Sequence, residues 1–213
     1  MRPGRVVVVA GTGTEIGKTW VGARVIEQLR ALDTTVIARK PAQSFEATDT
    51  ETDASILAAA SGEDPAVVCP PHRWYPVPMA PPMAAVVLER PPFTTADLAG
   101  EVAASFVDAD IALVETAGGA WSPQASDGLH VGHFADALAA DAVLLVADAG
   151  LGTINAVRGA IAALGSTRPV VVVLNRFDTE DELHARNFEW LRDNDGLVVA
   201  SHAVEAAVML AAL

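Results

Sequence analysis

A chain of 213 residues, 51% of them hydrophobic, is long enough for one α/β domain with a substantial core and too short for two such domains. Its 27 acidic and 14 basic residues give a net charge of −13, which argues against nucleic acid or an anionic membrane as the main partner. A single cysteine, Cys69, excludes an internal disulfide and a cysteine-cluster metal site. With no apolar run of membrane-spanning length and no signal-peptide profile, we expect residues 1–213 to form a single cytoplasmic domain.

A glycine-rich segment lies between the first predicted strand and the first predicted helix. Residues 5–10 are an apolar, β-branched run, residues 11–19 read Gly-Thr-Gly-Thr-Glu-Ile-Gly-Lys-Thr, and helically spaced apolar residues follow from Val21 to Leu29. This context is typical of a phosphate-binding loop, where backbone N–H groups and the helix dipole bind an anion. The strict motif G-x-x-x-x-G-K-[ST] would have glycine at position 12, whereas this chain has Thr12 there and a glycine at Gly11.

We therefore predict a nucleoside triphosphate site at this segment. Lys18 would reach the β- and γ-phosphates, and the Thr19 hydroxyl would ligate Mg²⁺. The residues predicted to bind the nucleotide here are Gly13, Thr14, Glu15, Ile16, Gly17, Lys18 and Thr19.

The second predicted strand, residues 34–39, ends immediately before Lys40. Ligands of open parallel sheets bind beyond the carboxyl ends of the strands, so Lys40 is expected in the same crevice as the phosphate loop. There it could neutralise a phosphoryl group or a carboxylate, although a lysine before a proline is also common in solvated turns. Asp53 begins a short helix predicted over residues 53–60, and its position alone favours a helix cap.

Residues 65–92 are rich in proline and are predicted to cover part of the upper edge of the sheet, with a short helix over 84–89. A further helix is predicted from Thr94 to about residue 106. The third core strand, residues 111–115, ends in Glu115. An acidic residue at the end of an apolar strand, followed by glycines, is the arrangement that holds Mg²⁺ opposite a phosphate loop. After a loop, another helix is predicted to begin at residue 133.

Two further strands complete the pattern. Residues 142–148 lead into a helix that runs to about residue 164, and the N–H groups at its start could bind an anionic substrate group. Residues 170–178 form the next strand, in which Asn175 could bind a purine edge; the spacing Asn-Arg-x-Asp is close to a guanine-binding motif, so both purines remain open. A helix over 180–192, a strand over 197–200 and an apolar tail over 204–213, packed on the core, follow. The alternation predicts a doubly wound, mainly parallel sheet with helices on both faces.

The whole set of motifs resembles the dethiobiotin synthetases, a family of P-loop nucleotide triphosphatases. The resemblance covers nearly the whole chain. It depends on residues 11–19, Lys-Pro-Ala-Gln-Ser at 40–44, Asp53, Pro-Met-Ala-Pro at 78–81, Glu-Thr-Ala-Gly-Gly at 115–119, Leu-Gly-Thr-Ile-Asn at 151–155 and Asn175.

This resemblance implies an ATP- and Mg²⁺-dependent ligase that converts 7,8-diaminononanoate and CO₂ to dethiobiotin in biotin biosynthesis, through a carbamate and a carbamic-phosphoric anhydride. Lys18 and Lys40 would offset the repulsion between the carbamate and the γ-phosphate, and Thr14 and Ser44 would contact the substrate. It also implies the roles of the remaining residues. Thr19, Asp53 and Glu115 would bind Mg²⁺, Asn175 would bind adenine, and Gly152, Thr153, Ile154 and Asn155 would bind the substrate carboxylate of the partner subunit in a homodimer.

The chain departs from the family pattern at a few positions, which keep alternatives open. Phe45 and Thr116 replace glycines and are expected to add bulk near the substrate, which would suit a paralogue acting on a different diamine or acid. A tyrosine of some members has no clear counterpart, since Asn187 or Phe188 stands there. A deviant-Walker regulatory ATPase is the other alternative, but such proteins carry a lysine where this chain has Gly13.

Overall fold

The computed structural model describes residues 1–165 and 168–213. The strands are β1 (Arg5–Gly11), β2 (Val36–Arg39), β3 (Gln43–Ser44), β4 (Trp74–Tyr75), β5 (Ile111–Glu115), β6 (Ala142–Asp148), β7 (Val170–Asn175) and β8 (Val198–Ala200). The helices are α1 (Lys18–Ala31), α2 (Asp53–Ser61), α3 (Pro65–Val68), α4 (Pro81–Val87), α5 (Thr95–Ala104), α6 (Val131–Ala137), α7 (Thr153–Leu164), α8 (Glu182–Asp193) and α9 (Ala203–Ala211), with a 3₁₀ turn at Pro71–Arg73.

The main sheet has six strands in the order β2-β5-β1-β6-β7-β8, and every described ladder in it is parallel. Side chains alternate along β1, so Val6 and Val8 enter one core and Val7 and Val9 enter the other. Helices α5, α6 and α7 contribute to the first core, and α1, α2 and α9 contribute to the second. The prediction of a doubly wound, mainly parallel sheet with helices on both faces is confirmed.

The proline-dense region contains a small parallel ladder that the sequence did not indicate. Strands β3 and β4 pair Gln43 with Trp74 and Ser44 with Tyr75. Two-residue strands carry too little periodicity to be recognised in a sequence. The ladder ties this region to the segment that follows Lys40.

Capping groups explain where two helices begin. Helix α6 starts at Val131 because the Nδ1 atom of His130 accepts a hydrogen bond from the N–H of Gly132, at 3.2 Å, so the expected start at residue 133 was two residues late. Helix α8 starts at Glu182, after a cap by Asp181. The apolar C-terminal segment forms α9 and packs on the core, as predicted.

None of the helices in the described ranges combines the length and the apolar character needed to cross a membrane.

Candidate active site

The strand register brings the predicted functional residues together. Arg39 of β2 pairs with Val114 of β5, so Lys40, the next residue, lies beside Glu115, which itself pairs with Val9 of β1. The carboxyl ends of three adjacent strands thus place Lys40, Glu115 and the phosphate loop in a row.

A cavity of about 540 Å³ opens at this edge of the sheet. Of the predicted site residues, those that line it are Thr14, Glu15, Gly17, Lys18, Thr19, Lys40, Ser44, Asp53 and Glu115. The cavity is also lined by residues that the sequence did not single out as functional, namely Gln43, Pro78, Met79, Ala80, Pro81, Ala117, Gly118, Ser122 and Pro123.

Four of these side chains form a charged cluster at the base of the cavity. The Nζ atom of Lys40 lies 2.6 Å from Oδ2 of Asp53 and 2.6 Å from Oε1 of Glu115. The Thr19 hydroxyl lies 2.8 Å from Oδ1 of Asp53 and 2.9 Å from Oε1 of Glu115. Asp53 is not the helix cap, because the side chain of Thr52 caps α2, and its carboxylate is therefore directed to the cluster.

Burial and mutual charge set the protonation of the cluster. Burial alone would lower the pKa of Lys40, but the charges of Asp53 and Glu115 outweigh it and raise that pKa. Burial raises the pKa of Glu115 against the opposing charge of Lys40. Burial would also raise the pKa of Asp53, but Lys40 lowers it. Burial and the nearby charge of Lys40 lower the pKa of Lys18 to about 8, a shift that a bound triphosphate would oppose.

The donor set of the cluster fits Mg²⁺. Two carboxylates and a hydroxyl converge there, and Mg²⁺ prefers hard oxygen ligands, taking few from the protein and the rest from phosphates and water. The Oε2 atom of Glu115 is buried and has no hydrogen-bond partner among the described residues, so it remains available to a cation. Within the described ranges no group of three or more His, Cys, Asp or Glu side chains could hold a metal, as is common for a site completed by phosphates.

Residues at the end of β7 hold the phosphate loop through hydrogen bonds to its carbonyls. Gly17 has φ 87°, and a Cβ there would lie 2.3 Å from Nδ2 of Asn175, so only glycine fits. Asn175 donates to the carbonyl of Ile16 at 2.8 Å, and Arg176 donates to the carbonyl of Glu15 at 2.8 Å. The Nζ atom of Lys18 donates to the carbonyl of Gly13 at 2.9 Å. The N–H of Thr12 is bonded to the carbonyl of Val146 at 3.0 Å, whereas the N–H groups of residues 13–17 have no acceptor among the described residues and are available to an anion.

A second cavity, of about 480 Å³, adjoins the loop at Gly17 and continues past Asn175 to Trp20, Phe177 and His202. Its position beside the start of α1 suits a nucleoside base. The Nδ2 atom of Asn175 is engaged with the loop, so its Oδ1 atom is the free end of this amide.

The residues expected to serve a partner subunit lie away from this chain's own cavity. Gly152, Thr153, Ile154 and Asn155 begin α7, and none of them lines the cavity. Leu151, directly before them, is 92% exposed. Asn187 donates to the carbonyls of Ala149 and Gly150 at 2.9 and 3.0 Å, so it holds the segment before α7 and does not line the cavity.

Phe45 and Thr116, which stand where the family pattern has glycine, are not part of the cavity lining. Thr116 is fully buried and its hydroxyl donates to the carbonyl of Val9 at 2.9 Å, and neither Thr116 nor Phe45 lines the cavity. The hydroxyl of Thr116 is thus directed to the backbone of β1 and not to the cavity, and the effect of Phe45 and Thr116 on the choice of substrate stays a prediction.

Among the residues that sequence reasoning missed, Gln43 and Arg176 are the most informative. Gln43 lines the cavity and Arg176 holds the phosphate loop. Each adjoins a predicted residue, Ser44 or Asn175, and each lies within a motif noted in the sequence, Lys-Pro-Ala-Gln-Ser or Asn-Arg-x-Asp, but neither motif assigned it a role.

Comparisons with known proteins identify sequence relatives of this chain. A family profile described as "AAA domain" matches residues 5–206. The chain is 38% identical to an ATP-dependent dethiobiotin synthetase of Streptomyces avermitilis over 157 residues, which cover 70% of this chain and 61% of the relative. It is 35% identical to that of Anaeromyxobacter dehalogenans over 188 residues, covering 84% and 79%. The match thus spans about three fifths of the Streptomyces relative's length.

Solved structures share the fold at low identity. A plasmid partition protein from Borrelia burgdorferi B31 bound to AMPPNP has a TM-score of 0.59 at 12% identity, with 100% of both chains covered. The signal recognition particle receptor FtsY from Elizabethkingia anophelis has a TM-score of 0.54 at 12% identity, covering 98% of this chain and 65% of that one. At such identities the likeness concerns the fold alone.

Proposed function

Because the chain belongs to the ATP-dependent dethiobiotin synthetase family, we propose that it is a carbon–nitrogen ligase that closes the ureido ring of dethiobiotin from 7,8-diaminononanoate, CO₂ and ATP. The observation that carries the proposal is the cluster of Lys40, Asp53, Glu115 and Thr19 beside the phosphate loop in one cavity. That cluster combines a buried cation with a hard-oxygen site, which is what phosphoryl transfer to an anionic acceptor requires.

The reaction brings two anions together. One amine of the substrate and CO₂ give a carbamate and a proton; a carbamate oxygen then attacks the γ-phosphorus and ADP leaves. The second amine attacks the carbonyl carbon of the mixed anhydride, and phosphate and a proton leave as the ring closes. Lys18 and Lys40 would offset the repulsion between carbamate and triphosphate. Thr14 and Ser44, which line the cavity, would orient the carbamate through their hydroxyls.

Thr19, Asp53 and Glu115 would hold Mg²⁺, which would supply positive charge to the β- and γ-phosphates. The N–H groups of Gly13, Thr14, Glu15, Ile16 and Gly17 would surround the phosphates ahead of α1, whose N-terminus faces them. Asn175 would contact the base.

A homodimer would complete the site. The turn at Gly152–Asn155 presents backbone N–H groups at a helix start but lies outside its own cavity, and the adjacent Leu151 is 92% exposed. Both features suit a turn that binds the substrate carboxylate in a partner's cavity.

The first test measures phosphate release from MgATP and ¹³C-bicarbonate with and without 7,8-diaminononanoate, together with mass analysis of the product. We expect release that depends on the diamine and one ¹³C atom in dethiobiotin. Matched reactions with 7-aminononanoate, which lacks the ring-closing amine, should give no ring. Slow release that is indifferent to the diamine would contradict the proposal and favour a regulatory ATPase.

The dimer is tested by mixing two inactive variants. Lys40→Ala damages the cavity and Asn155→Glu damages the turn, so a heterodimer would contain one intact composite site. Subunit exchange at equal concentrations should restore about a quarter of wild-type turnover, since half of the dimers would be mixed and each mixed dimer would contain one intact site of two. No recovery after proven exchange would contradict a site shared between subunits.

A further inference from the structure

The Gln43 carboxamide has one engaged end and one free end. Its side chain is 1% exposed and lines the cavity. Its Oε1 atom accepts a hydrogen bond from the N–H of Ala54 at 3.0 Å, at the start of α2 directly after Asp53. A backbone N–H can only face the amide oxygen, so this contact fixes the orientation of the amide and identifies the other end as the NH₂ group.

That NH₂ group is buried without a partner. Among the described residues, Nε2 of Gln43 has no hydrogen-bond acceptor. Leaving a buried donor unpaired costs free energy, so such a group calls for an explanation. The same cavity contains one further unpaired buried atom among the described residues, Oε2 of Glu115, whose charge suits a cation. A free N–H donor suits the opposite partner, an oxygen acceptor.

The neighbouring side chains indicate which acceptor. Lys40, Gln43 and Ser44 follow one another closely in the chain, all line the cavity, and all carry hydrogen-bond donors. Of the three carboxylates that line the cavity, Asp53 and Glu115 are engaged by Lys40 and Thr19, with Oε2 of Glu115 left unpaired, and Glu15 belongs to the phosphate loop. An anionic ligand with several oxygen atoms could therefore accept hydrogen bonds from Lys40, Gln43 and Ser44, whereas a free amine could not.

We propose that Gln43 donates a hydrogen bond from Nε2 to an oxygen atom of the substrate carbamate, and thereby favours binding of the carbamylated diamine over the free diamine. This inference rests on the proposed function and adds a specificity-determining residue to it. Gln43 thus has two tasks, because its Oε1 atom also holds the start of α2, where Asp53 lies.

Two variants separate these tasks. Gln43→Glu keeps an oxygen for the N–H of Ala54 but replaces the donor with an acceptor. Gln43→Met keeps the length of the side chain and removes both ends. If Gln43 only anchored α2, Gln43→Met would weaken binding of both the diamine and the ATP analogue more than Gln43→Glu does. Gln28→Glu, on α1 and outside the cavity, is the control for an added negative charge.

The experiment is calorimetric titration of 7,8-diaminononanoate into the full chain loaded with Mg²⁺ and a non-hydrolysable ATP analogue, with and without bicarbonate. We expect bicarbonate to tighten binding to the wild type and to Gln28→Glu. In Gln43→Glu and Gln43→Met the increase in diamine affinity caused by bicarbonate should be about tenfold smaller than in the wild type, because both variants lack the hydrogen bond from Nε2 to a charged acceptor. Affinity for the ATP analogue should change less than the bicarbonate gain in both variants, and both should lower the melting temperature, Gln43→Glu because it buries a further carboxylate in the cavity of Asp53 and Glu115.

The outcomes are distinguishable. A full bicarbonate gain in Gln43→Glu would overturn the role of Gln43 while the proposed function stands. A loss of affinity for the ATP analogue in the uncharged variant Gln43→Met that equals its loss of the bicarbonate gain would reduce Gln43 to a structural anchor and overturn the inference. A wild type that does not bind the diamine under either condition would overturn both proposals.

Discussion

Two neighbouring residues at the end of one strand show how differently buried cations can be used. Arg39 and Lys40 are each 2% exposed. Every side-chain nitrogen of Arg39 has an acceptor, provided by Glu63, by Ser105 and by its own neighbour's carbonyl. Lys40 faces two carboxylates, one of which keeps an unpaired buried oxygen among the described residues, and it lines a cavity.

The difference lies in what each cluster leaves unsatisfied. The Arg39 cluster is closed, with no unpaired buried atom among its described members, and it joins β2 to residues 63 and 105. The Lys40 cluster is open toward solvent and retains free acceptor capacity. Burial of a charge is therefore a poor sign of function, whereas an unpaired polar atom beside a cavity is a better one.

Lys40→Ala should be the most damaging of the substitutions. Removing this cation should lower turnover by about 10³-fold, because electrostatic stabilisation of the transferring phosphoryl group is lost. Nucleotide binding should stay detectable, since the phosphate loop does not depend on Lys40. Single-turnover phosphate release and fluorescent nucleotide titration measure the two quantities. Turnover equal to that of the wild type would refute the charge role.

Arg39→Met should act on stability instead. It leaves the Glu63 carboxylate without its cation, and we expect a loss of about 2–4 kcal/mol in the free energy of unfolding. Partial exposure of Glu63 to water limits this loss. Turnover per folded molecule should stay within about twofold of the wild type. Denaturant unfolding measures the first effect. The double variant Arg39→Met/Glu63→Gln should regain part of the stability, because the amide that replaces the carboxylate carries no charge; if it does not, the buried ion pair is not the cause.

Glu115→Gln should weaken the use of Mg²⁺. The substitution removes the charge of a proposed ligand and keeps the side-chain volume, so the Mg²⁺ concentration at half-maximal turnover should rise about 10–100-fold. A Mg²⁺ titration at saturating ATP measures it, and Glu101→Gln, outside the cavity, serves as the control. A profile identical to that of the wild type would count against Glu115 as a ligand.

The smallest effect concerns the base. Since Nδ2 of Asn175 is engaged by Ile16, the free Oδ1 atom can only accept, which favours adenine, with an amino group at C6, over guanine, with a carbonyl there. ATP should bind about tenfold more tightly than GTP, the value of roughly one hydrogen bond. Competition against a fluorescent nucleotide gives the ratio. Tighter binding of GTP would reverse the assignment and support the guanine interpretation of the Asn-Arg-x-Asp segment.

Much of the site was predictable because its signals are local. The phosphate loop carries its glycines and lysine in one segment, and Lys40 and Glu115 each follow an apolar run that predicts a buried strand. Parallel strands end at one edge, so these residues could be brought together without knowing the strand order. The single domain over 1–213, the homodimer and the individual residue roles remain predictions.

Other features depend on contacts between segments that are distant in the chain. The direction of the Thr116 side chain, the support of the loop by Arg176 and the fixed amide of Gln43 are set by packing. Each involves a partner at least 11 residues away, Ala54 being the nearest in sequence. No periodicity or motif reports such pairings.

Hydrophobic periodicity and glycine placement act over a few residues, and they were therefore enough to specify the parallel sheet, the phosphate loop and the chemical types at the strand ends. The pairing of the charges and the polar atoms left without partners depended on the folded arrangement. Those outcomes follow from the strand order β2-β5-β1 and the position of α2, which place Lys40 between Asp53 and Glu115. Electrostatic and hydrogen-bond energies depend steeply on distance and burial, and both are fixed only when the chain has folded.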